Sequence, residues 1–187
     1  LADWAWVLLQ RSTVLGNALR VEEATLRCKE LRLLDVQVAP DSAEAQWTRW
    51  AWVASAGAAD VQRDGAAMLA LVNEGLARHG HVLPLRAELL LLQAKAYLWL
   101  ADRRGTRQSL EAAAAAFAEA HSEEGQMRVW AVRAHRAAMI RDPEEMARCV
   151  AALQPVVEGG PGVDLPPLVA ARLRHSLGLV YDALGRW

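Results

Sequence analysis

Residues 110–135 read LEAAAAAFAEAHSEEGQMRVWAVRAH. The stretch opens on a run of alanines closed by Phe117, a composition with the highest helix propensity available. It breaks for a few polar residues after Ala120 and resumes in a second helix-length piece. A connection that short obliges the two helices to run antiparallel. The alanines keep the surface of the first helix low, so a neighbour packs close to its backbone. The fold class that follows is all-α.

The same texture continues in both directions. Apolar residues make up 53% of the 187, and Val, Ile and Thr nowhere gather into an alternating run of strand length. Breakers cut the chain into helix-length pieces. Val38-Ala39-Pro40 closes one, and Asp41 with Glu44 forms a capping-box-like start. Gly80 and Pro84 bracket another junction, and Asp142-Pro143-Glu144-Glu145 supplies an N-cap, a proline and two carboxylates at a helix start. The stretch from Pro155 to Pro167 is too rich in Gly and Pro for a helix and reads as a loop. The expected helices are 2–16, 20–37, 42–57, 60–79, 85–102, 107–120, 124–140, 143–154 and 167–184. Alternate ones end near Leu15, Gly57, Leu100, Ile140 and Leu184. That recurrence of roughly forty residues marks a solenoid of antiparallel hairpins, a single repeat domain over 1–187.

Bulk chemistry excludes several classes. Lys and Arg number 21 against 22 Asp and Glu, a net charge of -1, so nothing attracts a phosphate backbone and no nucleic-acid contact is expected. No stretch reaches the ~18 apolar residues of a membrane span, and the N-terminus lacks a basic leader and cleavage site. Cys28 and Cys149 stand far apart without a CxxC, which fits two buried thiols in a reducing cytoplasm. The chain opens on Leu1 and stops at ALGRW, where a partner helix should follow, so it reads as a fragment of a longer protein whose truncated ends could self-associate.

Leu177-Gly178, Tyr181, Leu184-Gly185 and Trp187 stand at the spacing of a tetratricopeptide first helix and turn. Ala94, Tyr97 and Leu100 repeat the small-aromatic-large triplet, and Trp47, Ala51 and Gly57 repeat part of it, as do Trp130, Ala134 and Ile140. The chain therefore resembles tetratricopeptide repeats, although those have roughly 34 residues per unit and these about 42. In its Ala/Leu/Arg texture and longer period it is similar to the superhelical sensor segment of MalT-type, LuxR-family bacterial transcriptional regulators. The resemblance implies a right-handed superhelix whose first helices line a concave groove. Carried onto this sequence, the groove positions are Asp3, Trp6 and Gln10, then Thr48, Trp52 and Ser55. Next come Glu88, Leu91, Lys95 and Trp99, followed by Arg128 and His135, and finally Arg172, His175 and Asp182. A peptide, a partner protein or a small-molecule inducer would bind there, with no cofactor and no metal. The alternative is a plain protein-interaction scaffold in a protein that is not a regulator.

Catalytic constellations are missing from the sequence. There is no GxxxxGK[ST], no GxGxxG after a strand and no GxSxG, so no enzyme is expected. His79 and His81 flank Gly80 at a helix end, where a C-terminal cap is the simplest role and Glu74 the nearest upstream carboxylate. Trp47, Trp50 and Trp52 diverge at ~100° per residue on one helix. Two of them are expected in the core and Trp52 in the groove, and Trp4 and Trp6 diverge in the same way. Charges alternating along residues 19–32 read as a solvated face with ion pairs such as Glu23 with Arg27.

Overall fold

In the computed structural model, which describes residues 21–40, 42–159 and 167–185, the chain is helical and, among the described residues, contains no strand. The elements are α1 (Val21–Gln37), the short α2 (Ala45–Thr48), α3 (Ala51–Val61), α4 (Gly65–His79), α5 (Leu83–Trp99), α6 (Arg103–Glu119), α7 (Glu123–Ile140), α8 (Pro143–Val157) and α9 (Pro167–Ala183). Most of the expected helices are present within a few residues. The expected helix over 2–16 and the cap at Asp41 lie outside the described residues.

Two helices differ from expectation. The piece over 42–57 is two helices. A tight turn at Arg49 and Trp50, with Trp50 N–H donating to the Trp47 carbonyl, separates α2 from α3, and α3 runs past Gly57 to Val61. At the start of α2 the Ser42 hydroxyl accepts from Ala45 N–H at 3.2 Å. Farther on, α8 continues through Pro155 to Val157 instead of yielding to a loop. A proline in the last turn forfeits one backbone bond, and the helix still closes with Glu158 N–H on the Gln154 carbonyl before Gly159, at φ +80°, ends it.

The turns explain why helices follow each other so closely. Arg63, Ala101, His121 and Arg141 each adopt a left-handed φ between 51° and 57°. The next residue returns its N–H to a carbonyl five positions back: Asp64 to Ala59, Asp102 to Tyr97, Ser122 to Phe117 and Asp142 to Ala137, at 2.9–3.0 Å. The side chain of that same residue caps the following helix. Asp64 accepts from Ala67 N–H, Asp102 from Gly105, Ser122 from Gly125 and Asp142 from Glu145. One helix's stop and the next one's start thus occupy two adjacent residues. A left-handed non-glycine residue costs roughly 1–2 kcal/mol, which the returned backbone bond and the cap together offset. Close approach at these turns also fixes two glycines. A Cβ on Gly105 would lie 2.7 Å from the Tyr97 ring, and one on Gly125 would run into the ring of Phe117.

The chain condenses into two compact units, Leu1–Ser109 and Leu110–Trp187. In the first, α3 packs on α1, α4 and α5, and α4 packs on α5. Its core joins Trp52, Ala56 and Ala59 of α3 to Met68 and Val72 of α4 and Leu85, Leu89, Leu92 and Ala96 of α5. A smaller cluster sets Leu31 of α1 against Ala51, with Leu34 and Trp47 beside it. In the second unit α7, α8 and α9 pack pairwise around Ala134, Ala137, Met146, Cys149, Leu153, Leu173, Leu177 and Val180. Helices touching the next and the next but one are the signature of an all-α helical repeat, and that is the fold.

Alanine at Asp142 should therefore lower stability by about 1 kcal/mol, whereas Asn, which keeps the acceptor, should cost only a few tenths. Thermal melts followed by helical circular dichroism measure the difference.

Candidate functional site

Polar chemistry in the first unit gathers at two carboxylates, each the end point of several donors from neighbouring helices. Asp35 sits two residues from the end of α1, with its side chain 2% exposed. One of its oxygens accepts from the Thr48 hydroxyl at 2.9 Å. The other accepts from the Trp52 indole N–H at 2.9 Å and lies 2.6 Å from His79 Nε2. With Asp35 ionised, this contact selects the His79 tautomer that carries its proton on Nε2. The guanidinium carbons of Arg32 and Arg78 lie 5.3 and 5.7 Å from the centre of the Trp52 ring. One buried group thereby ties α1 to the α2–α3 segment and to the end of α4.

Asp60, one residue from the end of α3, repeats the arrangement with more solvent. Lys95 Nζ donates to one oxygen at 2.7 Å and the Trp99 indole N–H to the other at 2.8 Å. The side chains of Lys95 and Asp60 keep 30% and 20% of their surface exposed. Arg63, in the turn after α3, places its guanidinium 5.4 Å from the Trp99 ring. In both clusters a helix-end aspartate receives an indole N–H and a nitrogen base while an arginine covers the indole.

Of the groove positions, Lys95 and Trp99 are brought together on α5 and turned to α3, and Glu88 is half-buried on the same helix. Trp52 is corrected. It is 2% exposed and belongs to the main core of the first unit, while Trp47 and Trp50 are partly buried against apolar clusters. The Trp52 ring packs among α3, α4 and α5, and its indole N–H is taken by the buried Asp35 carboxylate. Thr48, Ser55 and Leu91 are likewise buried and line no open surface. Trp6 and Gln10, with Asp3, lie outside the described residues. In the second unit Arg128 and His135 are half-buried on α7, and Arg172, His175 and Asp182 are exposed along one face of α9.

Other expectations resolve individually. His79 does not cap its own helix; its ring reaches across to Asp35. Gly178 is exposed, and a Cβ there would meet nothing within 4 Å, so among the described residues no helix approaches it closely. Gly185, at φ +65°, does end α9, and Tyr181 packs against the core with its hydroxyl donating to Gln154 at 3.0 Å. Arg27 bonds Glu30 in both directions of its carboxylate, at 2.9 and 2.8 Å. Both cysteines are buried free thiols. Burial foremost, with Glu145 adding repulsion, pushes the Cys149 thiol up to about 12. Among the described residues, no three His, Cys, Asp or Glu side chains converge as a metal site, and no helix is long and apolar enough to cross a membrane.

Asp35 and Asp60 are the residues that sequence reasoning missed. Each was visible as a carboxylate in apolar surroundings near a helix end, in LRLLDVQ and AGAADVQ. A charge in that setting must find donors or go unpaired. Compared with known proteins, the chain matches no protein family, no curated protein and no solved structure.

Replacing Asp35 with alanine strands three donors at once and should cost about 3 kcal/mol or more in urea unfolding. The partly solvated Asp60→Ala should cost about 1 kcal/mol or less. Cys149 gives a second expectation. A thiol pushed upward stays protonated in the folded chain while an unfolded one ionises near 9, so its contribution falls as pH rises above about 9. Native protein at pH 8 should leave Cys149 unalkylated by iodoacetamide, with labelling only after unfolding; mass spectrometry of the labelled peptide decides.

Proposed function

We propose that the chain is a non-catalytic binding module of tetratricopeptide-like character, the sensor or interaction arm of a MalT/LuxR-type bacterial transcriptional regulator. The observation that carries the reading is the Asp60–Lys95–Trp99 cluster. It presents an ammonium, a carboxylate and a half-buried indole side by side across two helices of the repeat stack. A flexible ion pair beside an aromatic ring is an adaptable recognition surface, because a ligand carboxylate can replace Asp60 at Lys95 while its apolar part lies on the indole. The Ala/Leu/Arg texture and the forty-residue recurrence support the regulator class. The buried Cys149 thiol, held protonated by its surroundings, is not available as a nucleophile.

In this reading the ligand is a peptide, a partner protein or a small-molecule inducer. Its effect is mechanical. Replacing Asp60 at Lys95 removes a tie between α3 and α5, and a ligand that favours the respaced pair biases the protein it belongs to. A scaffold that only holds a peptide would use the same cluster without respacing the helices.

Peptide libraries and candidate inducers titrated against the chain, followed by tryptophan fluorescence, test the proposal. A ligand should bind saturably, and Lys95→Ala and Trp99→Ala should each weaken it by about tenfold or more. Ligands whose affinity is indifferent to both substitutions would remove the cluster from recognition. Helix spacing read by hydrogen exchange in α3 and α5 separates the regulator from the scaffold.

A further inference from the structure

The first unit carries a second surface at the edge where the α3–α4 and α5–α6 turns meet. These turns abut, because a Cβ built on Gly65 would lie 3.0 Å from the Cγ of Leu100 and 3.0 Å from the Cβ of Trp99. Arg63 is exposed on one turn, and Arg103, Arg104 and Arg107 are exposed on the other. Val61 and Leu100 stand among them, each 46% exposed.

The arginines are placed against local electrostatics. The first turns of α1, α7 and α8 carry Glu22 and Glu23, Glu123 and Glu124, and Glu144 and Glu145, which favour the positive end of the helix dipole. The first turn of α6, like those of α2, α3, α4, α5 and α9, carries no acid, and unlike theirs it begins with two arginines. Among the described residues no carboxylate pairs with Arg103, Arg104 or Arg107. The carboxylates on this edge are already engaged. Asp60 holds Lys95 and Trp99, Asp64 caps α4, and Asp102 accepts from Arg104 and Gly105 N–H. The amide end of α6 is thus occupied by Asp102, and what faces solvent is the guanidinium row.

We infer that this edge is a docking surface for an acidic, amphipathic peptide segment of a partner protein. Guanidinium groups take carboxylates bidentately, and Leu100 and Val61 give the segment's apolar side chains a seat between the charges. A phosphodiester backbone would leave both apolar residues without a use, which favours a peptide over a nucleic acid. The surface borders the Asp60–Lys95–Trp99 cluster, with Arg63 over the Trp99 ring at their junction, and the charge reversals below leave Asp60, Arg63, Lys95 and Trp99 in place, so their failure would leave that proposal standing.

The test uses the whole chain and a fluorescein-labelled helical peptide of glutamates and leucines, with a single-stranded oligonucleotide of equal length as the second probe. Fluorescence anisotropy should show saturable, salt-sensitive peptide binding that weakens by about tenfold or more in R103E/R104E/R107E. The thermal midpoint of that variant should hold or rise, since glutamates suit the first turn of α6 better. Leu100→Ser should weaken the peptide as well. No saturable peptide binding, binding untouched by the triple reversal, or tighter binding of the oligonucleotide would each overturn the inference. Should the triple reversal lower the thermal midpoint, the single variants R104Q and R107Q decide: weaker peptide binding at an unchanged midpoint supports the inference, and unchanged binding overturns it.

Discussion

The two-residue turn is the constraint on which the remainder of the structure depends. A left-handed residue followed by Asp or Ser ends one helix and caps the next within a single hydrogen-bonded loop, at Arg63-Asp64, Ala101-Asp102, His121-Ser122 and Arg141-Asp142. Nothing longer intervenes at these turns, so α4 folds back beside α3 and α8 beside α7, and the apolar stripe of one meets that of the other. The turns after α5, α6 and α7 recur every twenty residues, at Asp102, Ser122 and Asp142. A hairpin of about forty residues is the direct result, longer than a tetratricopeptide unit because each helix gains most of a turn.

Antiparallel packing by itself does not fix how deeply a helix slides against the next but one. Small residues allow the approach: Ala56 and Ala59 on α3 and Ala96 on α5 are buried where those helices meet. Directional bonds set the register. Asp35 fixes the end of α1 against Thr48, Trp52 and His79, and Asp60 fixes the end of α3 against Lys95 and Trp99. Apolar contacts tolerate sliding, whereas an indole N–H on a carboxylate does not.

Helices and repeat were legible because they rest on local chemistry. Alanine content, the Asp142-Pro143 start and the glycine at 185 act within a few residues, and each did what its sequence implied. What sequence could not supply was partnership across helices. His79 looked like a helix cap because its neighbours in sequence are Arg78 and Gly80, while its actual partner is 44 positions away. Trp52 was assigned to the groove through the family resemblance, while its indole N–H has its partner at Asp35, 17 positions away. Lys95 and Trp99 were found together because they are four apart on one uninterrupted helix, where the wheel holds. The groove set as a whole came from a family resemblance, and it separates into buried positions, such as Thr48 and Leu91, and accessible ones, such as Arg172 and His175.

The two aspartate clusters share their chemistry and differ in solvent, and that difference assigns their roles. At 2% exposure Asp35 has no water to fall back on, so any loosening of Thr48, Trp52 or His79 leaves a buried charge under-satisfied. It can only hold or fail, which suits a structural tie. At 20% exposure Asp60 exchanges Lys95 for water at a cost of about 1 kcal/mol or less, within reach of a modest ligand. The buried bond keeps its helices aligned, and the partly solvated one yields at lower cost. Their order along the chain, sealed clasp first and solvated clasp second, puts the yielding contact between α3 and α5, with the anchored α1 behind it.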